Sequence, residues 1–524
     1  MRKYIWLLII PLVLFSFRFS LNQDPWDNSL EKLAEITDLV QKNSYQNPPR
    51  DEMIYSSIRG LLQTLDPHSY FLEPQSYARM REDQSGKYAG LGIQIQKQED
   101  RLVVIAPIEG TPAWRLGIQA GDNITHIDGQ STKPISSFEA MQRLRGKRGT
   151  QVTVTLAREG LDKTFDLTIT REEITLYSVP YGFLLDKDTG YIFIRNFAEN
   201  TTREFEDKIK SLAAQGMKRL ILDLRLNAGG PLFQSVEISD EFLPRGAMVV
   251  SLKGRRPEYN RQFRAVRDNQ YEGIPLVVLI DEGSASASEI VAGAIMDNDR
   301  GYIVGEVSFG KGLVQTVYPL GTNMAVALTT AKYLTPSGRS IQKDYTHLDD
   351  YLLARNTDAQ THEVRYTAHG RTVLGQGGIT PDFEVRTSVK PVIFELMGKG
   401  AYFGYARKFT AHQTSLSANL LLPGEQPSAS SGSERIDKDF RVDERVLADF
   451  QAMLKSLNVK YAEDKFEEAK TEIRRELDRE LHTALWGSEE GQRVYRLTDV
   501  VVLKALEVMP PTATLTSSTG AEPR

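Results

Sequence analysis

The chain has 524 residues and a formal charge of −5, from 64 lysines and arginines against 69 aspartates and glutamates. It contains no cysteine, which excludes disulfides, thiolate zinc sites, iron–sulfur clusters and cysteine nucleophiles. The slight acidity argues against a general nucleic-acid binder, which normally carries a basic patch. Only 7 histidines are present for acid–base chemistry. At about 150 residues per domain, the length predicts roughly three to four domains.

The first residues carry a targeting pattern. Arg2 and Lys3 precede an apolar run over residues 4–17, which is typical of an export signal. The run is shorter than the about 20 residues of a full membrane span, and no A-x-A cleavage pattern follows it. We therefore expect residues 1–22 to be either a signal peptide or an uncleaved N-terminal membrane anchor. The protein is then extracytoplasmic, in the periplasm or cell envelope, and either secreted or tethered by residues 4–17.

A helical pattern follows over residues 23–84. Apolar residues recur at helical spacing between Leu30 and Val40, and Asp51 is placed to cap a second helix. The segment 66–69, Asp-Pro-His-Ser, then predicts a turn. This region is predicted to be a helical N-terminal segment.

Residues 85–173 change to the two-residue period of β-strands. Short apolar runs are separated by glycine turns, and one helix is predicted near residues 138–144. The region resembles a PDZ domain. The segments that carry this resemblance are GLGI (90–93), GTPA (110–113), GIQAGD (117–122) and IDG (127–129).

The PDZ resemblance implies a binding site for a free C-terminus with apolar side chains. Glycines allow backbone N–H groups to converge on a carboxylate, and the strand beginning at Ile93 can pair with an extended peptide. The implied substrate-binding residues are Gly90, Leu91, Gly92 and Ile93. Taken in isolation, GLGI is equally typical of a tight turn that opens a strand.

Residues 174–390 alternate strands with helices. Leu220–Leu224 and Leu276–Ile280 are continuous apolar strands, and residues 201–214 form an amphipathic helical pattern. Such strands between helices predict a sheet covered on both faces.

The remaining chain is divided into an extension with a polar linker (391–438), a helical region (439–509) and a disordered tail (510–524). Apolar residues from Ala469 to Leu485 recur at every fourth position and predict one stripe on a charged helix. The sequence leaves open whether these helices pack on the core, form a homo-oligomer or bind an adaptor.

Ser286 lies in a run of small residues between the strand 276–280 and a predicted helix. At such a position the N-terminal N–H groups and the helix dipole can stabilise an oxyanion. Ser286 and Glu289 also match the S-x-x-E capping box, which requires no catalysis. On this motif alone the capping interpretation is favoured.

Lys311 is the candidate base for such a serine. No histidine lies between His126 and His347, and Lys311 follows the strand 302–305 in a glycine-flanked segment. Burial there would lower its pKa and free a lone pair, and Gln315 is placed to orient the amine. By itself, Gly-Lys-Gly is more typical of a solvated lysine in a turn, and the distant histidines remain alternatives.

A third candidate segment is DLRLNAGG (223–230), which follows a buried strand. Gly229 and Gly230 at its end can present N–H groups to an oxyanion, or they can simply form a turn.

Together these motifs resemble the C-terminal processing, or tail-specific, peptidases, which are serine proteases with a Ser–Lys dyad and an inserted PDZ domain. The resemblance covers residues 28–390 and implies an α+β multidomain fold. That fold comprises a ClpP/crotonase-like α/β protease core at 174–390, a PDZ β-barrel domain, a helical N-terminal segment and a helical C-terminal extension. Its segments, in chain order, are LDPHS (65–69), the PDZ region, DLRLNAGG (223–230), EGSASASEIVAGA (282–294), GEVSFGKGLVQ (305–315), LTPSGRSIQ (334–342) and GGITPD (377–382).

The resemblance also implies residue roles. Ser286 becomes the nucleophile, Lys311, 25 residues later, the general base, and Gln315 the residue that orients the lysine. The implied oxyanion donors are the backbone N–H groups of Ala287 and of Gly229 or Gly230. The family usually has Asn-Pro-Gly-Gly at this loop, whereas Ala228 stands here in place of the proline.

The expected function is that of an extracytoplasmic serine endopeptidase. Its PDZ domain recognises the unstructured, apolar C-terminal tail of a protein substrate, and the dyad hydrolyses peptide bonds through an acyl-enzyme. This chemistry requires no metal or other cofactor, and the chain contains no P-loop motif. The alternative is an inactive PDZ scaffold that binds tails, against which the joint presence of Ser286, Lys311 and Gln315 argues. PDZ-bearing proteases of the His-Asp-Ser class place the PDZ domain after the protease and the serine in G-N-S-G-G, and neither feature occurs here.

Overall fold

A computed structural model of the chain describes residues 25–46, 48–159, 161–268, 271–321, 323–346, 363–425 and 434–510. The expected signal or anchor over residues 1–22 lies outside these ranges, as do residues 426–433 of the polar linker and 511–524 of the expected tail. Within the described ranges, no helix combines the length and apolar character needed to cross a membrane. The chain divides into two compact units, residues up to Tyr77 with Gln315–Thr329, and Ala78–Val314 with the residues from Thr330 onward.

The first unit contains the predicted N-terminal helices, Pro25–Asn43 and Arg50–Gln63. The second helix begins at Arg50 and its N-cap, Pro49, makes no side-chain cap, so the prediction that Asp51 caps it is wrong. Asp51 lies instead in the first turn, where a carboxylate interacts favourably with the helix dipole.

The predicted turn at residues 66–69 is confirmed. The Asp66 carboxylate accepts the N–H groups of His68 and Ser69, both at 2.8 Å. The strand Tyr70–Leu72 follows and pairs antiparallel with residues 325–327. Three elements contain residues of both units. They are the helix Pro74–Ser85 and the paired strands Leu313–Leu320 and Met324–Leu334.

In the second unit, the PDZ region folds as predicted into strands with two short helices. The strand Ile93–Gln98 forms one edge of its main sheet. Apolar residues of alternate positions, such as Val152, Val154 and Leu156, are buried in its core. The strands are Lys87–Gly90, Ile93–Gln98, Arg101–Pro107, Asn123–Ile127, Gln130–Ser131, Gln151–Ala157, Phe165–Thr170 and Glu172–Thr175, and the helices are Pro112–Arg115 and Ser137–Leu144.

The protease core contains a six-stranded sheet. Its first two strands are antiparallel and the remaining neighbours are parallel. In spatial order the strands are Tyr181–Leu184, Thr189–Phe193, Arg219–Asp223, Leu276–Ile280, Tyr302–Gly305 and Phe383–Glu384. A second sheet of this unit pairs Met248–Gly254 with Arg261–Arg264 and with residues 331–334, and Val364–Tyr366 pairs with Thr372–Leu374.

Both faces of the six-stranded sheet are covered, which confirms the prediction. In the strand Leu276–Ile280, Leu276, Val278 and Ile280 pack on one side, and Val277 and Leu279 on the other. The first side is covered by the helices Thr201–Ala214, Leu232–Asp240 and Ala287–Asp297. The second side is covered by the C-terminal helix Val500–Glu507.

The segment between the core and this last helix forms its own hydrophobic cluster. The predicted stripe begins at Ala469, the N-cap of the helix Lys470–Trp486, and continues along it; Ala469, Ile473, Leu477 and Leu481 are buried. The stripe is therefore internal to this region. The other elements are Pro391–Gly398, Ala401–Thr410, Glu444–Ser456, Glu463–Glu468 and Ser488–Arg496, the short strands Leu420–Leu421 and Glu434–Arg435, and the 3-10 turns Pro257–Tyr259 and Ser417–Asn419.

Candidate active site

Three neighbouring parallel strands supply the three predicted site segments. The glycine loop follows Arg219–Asp223, Ser286 follows Leu276–Ile280, and Lys311 follows Tyr302–Gly305. The carboxyl ends of parallel strands meet at one edge of a sheet, where ligands of α/β proteins bind. The strand order thus brings together segments that lie far apart in the sequence.

Ser286 has an unusual backbone conformation immediately before the helix Ala287–Asp297. Its φ of 55° and ψ of −109° lie outside the ordinary regions for a residue with a side chain. Such a conformation costs on the order of 1–3 kcal/mol and persists only where surrounding contacts impose it. Ser286 is partly exposed, whereas Ser284 and Ser288 are fully buried.

The hydroxyls of these two neighbouring serines are engaged elsewhere. Ser284 donates to the carbonyl oxygen of Leu224, and Ser288 to that of Asn227, both at 2.8 Å. These bonds tie the serine segment to the loop that follows the adjacent strand. The hydroxyls of both serines are therefore occupied by structural hydrogen bonds.

Glu289 joins the serine and lysine segments. Its Oε2 accepts the N–H of Ser286 at 2.7 Å and the N–H of Lys311 at 3.0 Å. Its Oε1 accepts the Ser308 hydroxyl at 2.6 Å and the Gly310 N–H at 2.7 Å. The carboxylate is fully buried. One side chain thus fixes the backbone at both predicted members of the dyad.

Tyr333 links the same two residues through their carbonyl groups. Its hydroxyl donates to the carbonyl oxygen of Lys311 at 2.7 Å and lies 3.3 Å from that of Ser286. The ring is buried in the hydrophobic core of the protease. Ser286 and Lys311 therefore share one partner for their N–H groups, Glu289, and one for their carbonyl groups, Tyr333.

Burial lowers the pKa of Lys311 below its ordinary value, and the Glu289 carboxylate opposes this only in part. Burial likewise raises the pKa of Glu289, against the hydrogen bonds that its oxygens accept. Among the described residues, no carboxylate forms an ion pair with the Lys311 amine. A lysine in this setting loses its proton more readily than one in water.

Two of the other motifs support the lysine segment. The Gln342 side chain, from LTPSGRSIQ, accepts the Gly312 N–H at 2.8 Å. The N–H of Ile379, from GGITPD, donates to the Ser308 hydroxyl at 2.7 Å. The segment around Lys311 is therefore held from both sides.

The glycine loop lies directly against Ser286. A Cβ at Gly229 would come within 2.8 Å of the Ala285 carbonyl oxygen, 2.9 Å of the Ser286 Cβ and 3.0 Å of the Ala287 nitrogen. The φ of Gly229 is +98°, which also favours glycine. Only glycine allows this close approach of the two segments.

Asn227 shapes this loop from within. Its Oδ1 accepts the N–H of Gly229 at 2.9 Å, and its Nδ2 donates to the Ile194 carbonyl oxygen at 2.9 Å. The Gly229 N–H is thus already bonded. The N–H groups of Gly230 and Ala287 have no hydrogen-bond acceptor in the described part of the chain.

Gln315 belongs to the first unit, on the strand Leu313–Leu320. Its side-chain amide donates to the Thr329 hydroxyl at 3.4 Å, and that hydroxyl donates to Asp66 at 3.0 Å. Its expected role of orienting Lys311 stays a prediction.

The described histidines of the second unit bond away from Ser286. His369 contacts Asp299, and His412 bonds Glu425 and a backbone carbonyl. His126 contacts a neighbouring threonine, and His482 bonds a carbonyl within its own helix. None of these four has a hydrogen bond to the serine segment, which favours lysine as the base.

The PDZ region contains a groove between the edge strand Ile93–Gln98 and the helix Ser137–Leu144. The groove has a volume of about 270 Å³. Its lining residues are mostly apolar and include three of the four predicted binding residues; they are Tyr88, Leu91, Gly92, Ile93, Gln94, Ile95, Met141, Leu144 and Arg145. Gly90 does not line it; it ends the strand Lys87–Gly90 and pairs there with Glu172.

Sequence reasoning missed the roles of Glu289, Tyr333 and Asn227. The capping-box match identified Glu289, but only as a helix cap. Asn227 lies within a motif already recognised, whereas no local pattern marks Tyr333. All three act through contacts with residues distant in the sequence.

Known proteins resemble this chain over its protease core and its PDZ region. The sequence profile of peptidase family S41 matches residues 188–351, and that of the PDZ domain matches residues 89–169. The carboxy-terminal-processing protease of Bartonella bacilliformis is 40% identical over 322 residues, which cover 60% of this chain and 74% of that protein. This chain belongs to the carboxy-terminal-processing proteases of peptidase family S41.

A second relative is the carboxy-terminal processing protease CtpA of Bacillus subtilis, 34% identical over 321 residues, which cover 60% of this chain and 67% of that protein. The solved photosystem II D1 C-terminal processing protease is 29% identical, and the match covers 70% of this chain and 95% of that one with a TM-score of 0.37. The predicted serine-type endopeptidase with an α+β protease core and a PDZ domain is thus confirmed by the family. The family binds protein substrates at the C-terminus, and the inactive-scaffold alternative has no support.

Proposed function

We propose that Ser286 is the nucleophile and Lys311 the general base of this protease. Ser286 attacks a peptide carbonyl, and the neutral Lys311 amine takes the hydroxyl proton and later gives it to the leaving amine. An acyl-enzyme forms at Ser286, and water hydrolyses it. The observation that carries this assignment is the shared Glu289 oxygen, which accepts the N–H of both residues.

We assign the developing oxyanion to the N–H groups of Ala287 and Gly230. Gly229 was an equal candidate by sequence, but its N–H donates to Asn227. The close approach of Gly229 to the Ala287 nitrogen supports the assignment, because it brings the two segments together. Preorganised N–H donors of this kind supply a large share of the rate enhancement in acyl transfer. Ala228, in place of the usual proline, leaves these glycines unchanged. Gln315 orients Lys311 in this proposal.

The PDZ groove is proposed to bind an unstructured tail with apolar side chains. Leu91, Ile93 and Met141 supply apolar walls, and the edge position of Ile93–Gln98 allows a peptide to add as a further strand. Tyr88 lines the same groove beside Gly92. The tail carboxylate is bound in this proposal by the backbone N–H groups of the loop that carries Gly92.

The location of the protein is proposed to be extracytoplasmic, secreted or tethered by residues 4–17. The support is the basic, then apolar, sequence of the first 17 residues. Association of the C-terminal helices with a second copy or an adaptor also stays a prediction. The stripe Ala469–Leu485 does not provide that surface, because it packs within its own cluster.

The test is mass spectrometry of the products formed by the full chain from an unfolded protein with an apolar C-terminal tail. Ser286→Ala and Lys311→Ala are expected to abolish cleavage while a fluorescent tail peptide still binds. Lys332→Ala, which changes an exposed lysine of the same unit, is the matched control and keeps wild-type activity. Full cleavage by Ser286→Ala would contradict the nucleophile, and full cleavage by Lys311→Ala would indicate another base.

A further inference from the structure

Asp499 connects the C-terminal helix to the start of the glycine loop. Its two carboxylate oxygens accept hydrogen bonds from the Arg225 guanidinium, at 3.2 and 2.8 Å. Arg225 also folds back on Asp223, the last residue of the preceding strand, at 2.6–3.1 Å. Arg225 is thus held between a core strand and a residue 274 positions later.

This ion network is buried. Asp223 is fully buried and Asp499 is 5% exposed. The Tyr191 hydroxyl donates to Asp223 at 2.6 Å, and Arg496 donates to Asp499 at 2.9 Å. Burial alone would raise the pKa of Asp499, yet the neighbouring guanidinium of Arg225 holds it well below its ordinary value. The two guanidinium groups of Arg225 and Arg496 therefore favour the ionised form of this carboxylate.

The network sits where the glycine loop leaves the sheet. The Arg225 N–H donates to Asp223 at 3.0 Å, and the next residue, Leu226, adopts a φ of 58°. A left-handed residue that is not glycine needs neighbouring contacts to hold it. Asn227 follows and positions Gly229. Leu226 donates its own N–H to Asp281 at 2.8 Å, and the residues just before it are held by the Arg225 network.

The other end of the network is rigid. Asp499 caps the helix Val500–Glu507, and its Oδ1 accepts the Val501 N–H at 3.0 Å. Val501, Val502 and Ala505 pack against the underside of the six-stranded sheet. The helix is therefore a fixed part of the protease core, although it lies outside the ranges matched by the S41 and PDZ profiles.

We propose that Asp499 is a positioning residue of the proteolytic site, which holds Arg225 and thereby the loop that carries the Gly230 N–H. The inference rests on the proposed function, in which that N–H is an oxyanion donor. It assigns a catalytic contribution to the C-terminal extension. A loop displaced by a fraction of an ångström binds the transition state less well, whereas tail binding in the PDZ groove, which none of these residues lines, is unchanged.

Asp499→Asn separates helix capping from this positioning role. Asparagine caps a helix about as well as aspartate does. When the asparagine oxygen accepts the Val501 N–H, the asparagine NH₂ group takes the place of the Asp499 Oδ2. In the wild type that oxygen accepts hydrogen bonds from the guanidinium groups of Arg225 and Arg496, and the NH₂ group cannot accept them. The matched control is Asp443→Asn, since Asp443 caps the helix Glu444–Ser456 by accepting the Val446 N–H.

The assay measures kcat and KM of the full chain on a tailed substrate, together with affinity for a peptide boronate that forms a tetrahedral adduct with serine. We expect Asp499→Asn to lower kcat about ten- to a hundredfold with KM nearly unchanged, and to weaken boronate binding in parallel. Asp499→Glu recovers part of the loss. Asp443→Asn keeps kcat within about twofold of wild type. Arg225→Lys leaves the helix cap intact and is expected to show the same loss of kcat. It serves as the test if Asp499→Asn folds poorly.

Wild-type kcat in both Asp499→Asn and Arg225→Lys would overturn the inference, as would a loss no larger than that of Asp443→Asn. Ser286→Ala in the same assay separates this failure from failure of the proposed function. If Ser286→Ala still cleaves, the proposed function is wrong. If Ser286→Ala is inactive while Asp499→Asn is fully active, only the role of Asp499 is refuted.

Discussion

Replacing Glu289 by glutamine tests whether one buried carboxylate assembles the site. Each oxygen of Glu289 accepts two hydrogen bonds, from Ser286 and Lys311 on Oε2 and from Ser308 and Gly310 on Oε1. A glutamine side chain has one oxygen and one NH₂ group. Whichever way it is oriented, its NH₂ group faces two donors that previously met an acceptor.

The cost follows from those two lost bonds. Hydrogen bonds to a charged group contribute about 1.5–3 kcal/mol each, so Glu289→Gln is expected to destabilise the protein by about 3–6 kcal/mol. A change of this size displaces the backbone at Ser286 or at Lys311. We expect kcat to fall by about a hundredfold or more, as for other small misplacements of catalytic groups.

The pH dependence of the remaining activity of Glu289→Gln gives a second test. The Glu289 carboxylate raises the pKa of Lys311 against the effect of burial. Its neutralisation lowers the pKa of Lys311 further, so the acid limb of the kcat/KM profile shifts to lower pH. A merely structural defect would lower the profile without moving that limb.

The matched control is Glu139→Gln in the PDZ region. Glu139 occupies the same position in a second capping box and accepts the Ser136 N–H at 2.8 Å, but it is exposed. Thermal unfolding and hydrolysis of a tailed substrate are measured for both variants. The reasoning is refuted if Glu289→Gln matches Glu139→Gln in melting temperature and in kcat.

Two further predictions concern the same site. Lys311→Met is expected to be inactive yet more stable than wild type, because burial lowers the pKa of Lys311 from 10.5, so the wild type loses stability as the pH falls from that value through the folded pKa. The gain in unfolding free energy, measured by chemical denaturation, is therefore largest below the folded pKa and vanishes above about pH 10.5. A difference in stability that does not change with pH would contradict this prediction. Gly229→Ala is expected to lower kcat about a hundredfold, because the added methyl group displaces an oxyanion donor. The control is Gly216→Ala: Gly216 has the same φ of +98° but open space around it, so this variant carries the backbone strain without the crowding. Equal activity of the two variants would count against the crowding argument.

The sequence predicted much of the core because its signals are local. Leu276–Ile280 is apolar throughout, and both of its faces are buried as that pattern indicates. Ser286, Lys311 and the glycine loop each follow such a strand. Strand order then places these three segments at one edge of the sheet.

The supporting contacts could not be predicted in the same way. The apolar run at Val500–Glu507 predicts a helix but does not indicate its packing partner, so the covering of the sheet by this helix does not follow from the sequence. Asp499 shows no signal beyond a helix cap. Its contact with Arg225 spans 274 positions, and nothing in a local pattern specifies such a pairing.

Capping and catalysis were opposed as interpretations of Ser286 and Glu289, but in the structure they are one arrangement. The carboxylate accepts the Ser286 N–H, as in a capping box, and the same oxygen accepts the Lys311 N–H. This shared acceptor helps to offset the strained backbone of Ser286, which an isolated helix cap would not maintain. Because both members of the dyad depend on it, substitutions in the two segments should not act additively. Loss of the Glu289 carboxylate therefore disturbs the positions of Ser286 and Lys311 at the same time.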